Sequence, residues 1–82
     1  MQLEILTPAQ SVFSGKVKLV KVPGSNGSFE ILNNHATIIS ALTDGELKII
    51  TDADETLRFR TSNGVVEALD NKIVVLVESI ER

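Results

Sequence analysis

Cysteine is missing from this 82-residue chain, and so are tryptophan and tyrosine. Without cysteine there is neither a disulfide framework nor a thiolate metal site, and the composition fits the cytoplasm. One histidine, His35, cannot complete a zinc centre alone, and no carboxylate spacing supplies the other ligands. The three phenylalanines are too few for a sugar-binding or base-stacking platform. A net charge of −3 argues against nucleic acid as the main partner, which needs a basic stripe. No apolar run approaches the roughly 18 residues of a membrane span, and no basic segment leads into an apolar one at the N-terminus as in a secretory signal.

Hydrophobic residues make up 43% of the sequence, enough for one core and a single domain over residues 1–82. A domain this small buries a modest share of its surface and gains much from a partner. Turn formers recur at short intervals: Pro8, Ser14-Gly15, Pro23-Gly24, Asn26-Gly27, Asn33-Asn34, Asp44-Gly45, Asp52-Ala53-Asp54, Asn63-Gly64 and Asp70-Asn71. Short β-branched runs lie between them, at Leu3–Leu6, Lys16–Val22, Ser28–Leu32, Thr37–Leu42, Glu46–Thr51, Thr56–Arg60, Val65–Leu69 and Lys72–Glu78. This spacing predicts an all-β sandwich or barrel. Only Pro8–Ser14 has room for a helical turn, which Pro8 and the serines disfavour.

Two strands alternate cleanly. Leu47 and Ile49 oppose Glu46 and Lys48, and Leu57 and Phe59 oppose Arg58 and Arg60, so one face meets the core and the other meets water. Other strands are apolar on both faces. Ile73, Val75 and Val77 share one side of Lys72–Glu78, with Val74 and Leu76 on the other. Ile39 and Ala41 likewise oppose Ile38 and Leu42, and Val65 adjoins Val66. Each sheet of a sandwich has one inner face, so a doubly apolar strand predicts an outer apolar surface, either one that marks a partner or one that chain ends, loops or barrel closure cover.

The candidates for chemistry are weak. Ser25, Ser28, His35 and the aspartates form no nucleophile elbow. Gly24-Ser25-Asn26-Gly27-Ser28 lacks the Gly-Lys-Ser/Thr ending of a phosphate loop and reads as a hairpin turn. Asp52-Ala53-Asp54-Glu55 is too short for an EF-hand loop and reads as a solvated tip. Lys72 follows a tight turn, as the modified lysine of a lipoyl or biotinyl carrier domain does, but its Asp70-Asn71-Lys72-Ile73 setting lacks the Asp-Lys-Ala or Met-Lys-Met core. A swinging-arm carrier and a free-standing β adaptor are therefore the rival readings to the one below.

The run Val22-Pro23-Gly24-Ser25-Asn26-Gly27-Ser28-Phe29-Glu30-Ile31-Leu32-Asn33-Asn34-His35-Ala36-Thr37-Ile38-Ile39 resembles the signature of the epsilon subunit of F-type ATP synthase, V-P-G-S-x-G-x-h-G-I-L-P-x-H-A-P-h-h with h apolar. The resemblance extends over essentially all 82 residues. Leu3–Gly15 is similar to L-x-h-h-T/S-P-x-x-x-h-F-S/x-G, Asp44–Ile49 to P-G-x-h-x-h, Asn63–Ala68 to G-G-h-h-E-V, and Lys72–Glu78 to the closing strand. Departures are Glu30 for a glycine, Asn33 and Thr37 for prolines, and Asn63 for a glycine, where asparagine is the next best residue for positive φ. Ser28 stands where relatives often carry an acid.

The resemblance implies a flattened β sandwich of about ten short strands. It implies a non-catalytic rotor subunit at the foot of the central stalk, bound to gamma and the c-ring, coupling proton translocation to ATP synthesis on the cytoplasmic face of an energy-transducing membrane. Relatives continue into a two-helix hairpin that this sequence lacks, so no ATP binding and no cofactor are expected. The gamma contacts implied are Thr7, Pro8, His35, Thr37 and Ile39, with Val74 and Leu76 added from the two-faced pattern. The c-ring contacts implied are Ser25, Asn26, Gly27, Ser28, Asn33 and Asn34. His35 is expected to be structural or interfacial.

Overall fold

The computed structural model describes residues 1–82 and is built of strands only. They are β1 (Gln2–Leu6), β2 (Ser11–Val22), β3 (Phe29–Leu32), β4 (Ile38–Leu42), β5 (Gly45–Thr51), β6 (Thr56–Thr61), β7 (Gly64–Leu69), β8 (Lys72–Val77) and β9 (Ile80–Glu81). The order β4-β7-β8-β1-β2-β5-β6-β9, with β3 also on β2, folds into two layers. The first layer holds β4, β7, β8, β1 and the start of β2. The second holds the end of β2 with β3, β5, β6 and β9. All pairs are antiparallel except β1 with β8. No helix long and apolar enough to cross a membrane is present in these residues.

The 12-residue β2 belongs to both layers, and a bulge makes that possible. Its register against β5 shifts between Val17 and Leu19. One extra residue reverses which side chains point inward. Val17 faces the core before the shift, and Val20 and Val22 face it after, while Lys18 stays outside. A second shift, between Ile5 and Leu6, bends β1 against β2 near the start of the latter. The core between the layers includes Leu3, Ile5, Val17, Val20, Ile31, Leu47, Ile49, Phe59, Val66, Ile73 and Val75.

Turn chemistry fixes the register. Asp70 and Asn71 both have positive φ (51° and 61°), and Leu69 pairs with Lys72, which defines a two-residue hairpin matching the strand twist. Asn34 (φ 62°) sits at the third position of the turn closed by the His35 N–H on the Leu32 carbonyl at 3.1 Å. Gly64 is required by close approach. A Cβ there would lie 2.0 Å from the Leu76 carbonyl oxygen.

The nine strands agree with the expected all-β sandwich of about ten. Pro8–Ser14 holds no helical turn, in keeping with Pro8 and the serines, and Ser11 onward pairs with β1. One expectation needs correction: Ser14-Gly15 is strand interior and not a turn. Gly15 lies opposite Leu3 and beneath Phe13, whose ring would be 3.3 Å from a Cβ at Gly15.

Candidate docking surface

Four of the five large hydrophobic residues that remain exposed, Ile39, Val65, Leu69 and Leu76, project from the outer face of the first layer; Leu32 is the exception. The cause is strand register. Ala41 lies opposite Val65, Val65 opposite Leu76, and Leu76 opposite Leu6, which makes one continuous apolar row across four strands. The next outward row is Ile39, Glu67, Val74, Glu4 and Ser14. The inward row between them, Val66, Val75 and Ile5, is fully buried. The two-faced pattern of β8 thus resolves with Ile73, Val75 and Val77 inside, Leu76 47% exposed and Val74 half-buried on the outside. Leu6, Thr7, Pro8, Val65 and Leu76 line a shallow groove of about 430 Å3 at one end of the apolar row.

The residues expected to touch partners fall into two groups at opposite ends of the first layer. Thr7, Pro8 and Leu76 share one end with the Ser25–Ser28 turn. The Ser25 N–H donates to the Ala41 carbonyl (3.0 Å), and Gly24 pairs with Leu42. Asn33, Asn34, His35 and Thr37 lie at the other end, beyond the four residues of β3. Ile39 and Val74 sit between. Asn33 is tied into the fold through its carboxamide and Asn34 through its backbone N–H. The Met1 ammonium donates to Asn33 Oδ1 (2.8 Å) and to the Val17 carbonyl (3.1 Å), and Asn71 Oδ1 accepts from the Asn34 N–H (2.8 Å). His35 is exposed. Its Nδ1 lies 2.8 Å from the Ala36 carbonyl, so that nitrogen carries the proton.

The outer face of the second layer is built differently. Lys21 lies opposite Lys48, and Lys48 opposite Arg58, in a basic row. Lys18 pairs with Asp54, and Arg58 with Glu46 at 2.7 Å. A short apolar row, Leu32, Leu19 and Ile50, runs beside them. The acidic tip Asp52–Glu55 thereby becomes one side of a surface ion pair, and no three His, Asp or Glu residues converge anywhere. Lys72 begins β8 rather than topping a hairpin, and its ammonium sits 3.5 Å from Glu4. The outward basic row and the shared role of β2 were not anticipated, although the alternation in β5 and β6 carried the signal for the former.

These features define a small β-sandwich module that presents an apolar outer sheet face. The whole of residues 1–82 matches the family described as ATP synthase, Delta/Epsilon chain, beta-sandwich domain, and the protein belongs to that family. Among relatives it is 39% identical over 79 residues to the ATP synthase epsilon chain of Protochlamydia amoebophila, covering 96% of this sequence and 54% of that one. It is 36% identical to the Salinibacter ruber epsilon chain, with 99% and 60% covered respectively. Against the Chlorobaculum tepidum epsilon chain the identity is 35%, with 95% and 89% covered. The 82 residues therefore span between half and two thirds of the first two relatives and most of the third. In fold they are similar to a subunit in the Tetrahymena thermophila mitochondrial ATP synthase central stalk/c-ring, with a TM-score of 0.82 at 22% identity over 99% of this sequence and 65% of that one. A subunit in the Euglena gracilis mitochondrial ATP synthase OSCP/F1/c-ring matches at a TM-score of 0.88 and 13% identity, over 96% and 51%.

Proposed function

We propose that the protein is a non-catalytic part of the rotor of an F-type ATP synthase. It docks on the gamma subunit through the outer face of the first layer, rests on the c-ring, and helps couple proton translocation to ATP synthesis at the cytoplasmic face of the membrane. The observation that carries this reading is the apolar row Ala41, Val65, Leu76 and Leu6, which a free-standing domain would leave wet. Membership of the delta/epsilon family supplies the class of partner. Transmitting torque needs a stiff body with two contact regions. The paired strands supply the stiffness, and the apolar row with its flanking turns supplies the contacts.

Within this reading Thr7, Pro8, Ile39, Val74 and Leu76 form the gamma-facing set. Ser25, Asn26, Gly27 and Ser28 extend from the same end toward the c-ring. Asn33 and Asn34 are better explained as ties to Met1 and Asn71. His35 and Thr37 belong to that far end and are peripheral contacts at most. A carrier role for Lys72 is disfavoured by its place in β8 and its ion pair with Glu4.

The test is reconstitution. Rotor complexes depleted of this subunit should regain ATP-driven proton pumping when the protein is added back, while the protein alone hydrolyses no ATP. Restored hydrolysis with no gain in coupling would contradict the proposal.

A further inference from the structure

We infer that Asn26 is a site of spontaneous chemical modification, losing ammonia to become aspartate and isoaspartate in the folded protein. The sequence holds two Asn-Gly steps, Asn26-Gly27 and Asn63-Gly64, with the same intrinsic chemistry. The fold separates them.

In each case the reaction begins when the glycine backbone nitrogen loses its proton to hydroxide. It then attacks the amide carbon of the asparagine carboxamide, Cγ. A new N–Cγ bond closes a five-membered succinimide, the Cγ–Nδ2 bond breaks, and ammonia leaves with a proton from water. Water then opens the ring at either carbonyl. One product is aspartate. The other is isoaspartate, in which the backbone runs through the former side group. Glycine as the second residue removes the Cβ that would crowd the attack, so what remains decisive is backbone freedom.

Asn26 has that freedom. It lies with Ser25 at the centre of a turn closed by one hydrogen bond, from the Gly27 N–H to the Gly24 carbonyl at 2.9 Å. Ser25 through Ser28 are all exposed, and no atom beyond the two adjoining residues lies within 4 Å of where a Cβ at Gly27 would stand. Losing one exposed turn bond lets the segment reach the cyclic geometry without disturbing a strand.

Asn63 lacks it. Gly64 is the first residue of β7 and lies between Leu42 of β4 and Val77 of β8. Its α-carbon is pressed so closely on β8 that a Cβ would meet the Leu76 carbonyl oxygen at 2.0 Å and Val77 Cγ1 at 2.8 Å. Cyclisation there requires pulling a strand end out of the sheet, so it must await local unfolding.

The product places a new carboxylate between Ser25 and Gly27, which line a polar hollow together with Lys21, Asp44 and Glu46. The reaction is that of the unassembled domain, because in the proposed assembly the Ser25–Ser28 turn faces the c-ring.

The experiment incubates the folded protein at mildly alkaline pH. Peptide mapping by mass spectrometry, with isoaspartate-specific methyl transfer as a second readout, follows both sites. Asn26 is expected to convert at least about tenfold faster than Asn63, corresponding to one decade in rate constant. In urea that ratio should collapse toward one. Asn26→Gln should abolish the isoaspartate signal of the peptide spanning residue 26, as distinct from any at Asp44-Gly45, where aspartate can close the same ring by losing water, and leave thermal unfolding unchanged. Equal rates in the folded protein, faster loss at Asn63, a signal surviving in that peptide of Asn26→Gln, or an Asn26 that reacts only in urea would each overturn the inference.

Discussion

The two layers of the sandwich share one core and turn differently proportioned surfaces outward, the first mainly apolar and the second mainly basic. On the first layer, register aligns Ala41, Val65, Leu76 and Leu6 into an apolar row with Ile39 and Leu69 nearby. On the second, the same pairing rules align Lys21, Lys48 and Arg58, with Glu46 and Asp54 as counter-ions, beside a shorter apolar row of Leu32, Leu19 and Ile50 in which only Leu32 is exposed. Like charges directly opposite one another weaken a sheet, so the basic row is not there for stability. The apolar row is not there for it either, since its residues lie outside the core. What differs is the cost of remaining in water. Lysine and arginine heads are content there, and an aligned row of aliphatic groups is not. The comparison therefore points to the first layer as the face that is covered in the assembled protein.

The largest expected effect lies beneath that face. Val75 is fully buried between Val66 and Ile5. Val75→Lys places an unpaired charge in the core, and the cost should exceed about 4 kcal/mol, enough to unfold a domain of this size. Circular dichroism on heating would reveal it. A folded Val75→Lys with an ordinary melting transition would mean that the two faces of β8 have been exchanged.

Next comes the rim of the row. Gly64→Ala forces a methyl against the Leu76 backbone and should cost about 1–3 kcal/mol by overpacking. Urea unfolding would measure it, with an unchanged slope separating lost stability from an altered fold. An unperturbed midpoint would show that β7 can move away from β8.

Leu76→Lys should behave unlike its neighbour Val75. Half-exposed, Leu76 should change the isolated domain's stability by no more than about 1 kcal/mol. A large loss of stability would identify Leu76 as core and remove the apolar outer row.

The smallest effect is expected on the second layer. Both partners of the Arg58–Glu46 pair are about half exposed. Arg58→Ala should therefore cost at most about 0.5 kcal/mol, and less at high salt. A larger, salt-independent loss would show that this face is more than a solvated one.

Much of this was readable from residue order, because alternation is a local signal. The outward turn of Arg58 and Arg60, the inward turn of Leu47 and Ile49, and the two-faced character of Lys72–Glu78 all follow from the period of a strand. Which face of β8 points outward was not readable. That depends on where the second sheet lies, and β8 is apolar on both sides. The long β2 was hidden for a related reason. Its inward positions change parity at the Lys18 bulge, so neither half repeats the other's pattern, and Ser14-Gly15 imitates a turn. Asn33 and Asn34 enter the expected c-ring contacts through the family resemblance, and their ties within the fold could not be read beside it. Their bonds join residues 32 and 37 positions away in sequence, a distance at which local pattern carries no information. The two-residue β9 is too short to announce itself.

The central claim is that the first layer's outer face is the docking face. Its most direct test is a calorimetric titration of purified gamma subunit with two single-residue variants, Leu76→Lys and the charge reversal Lys48→Glu. Each alters one outward residue, one on each layer. Leu76→Lys is expected to weaken binding by about 2 kcal/mol or more, roughly thirtyfold, as for a residue at an interface centre. Lys48→Glu should leave the affinity within about twofold of the parent protein, as a residue outside the contact would. The reverse outcome, with Lys48→Glu abolishing binding and Leu76→Lys leaving it intact, would contradict the claim and move the interface to the second layer.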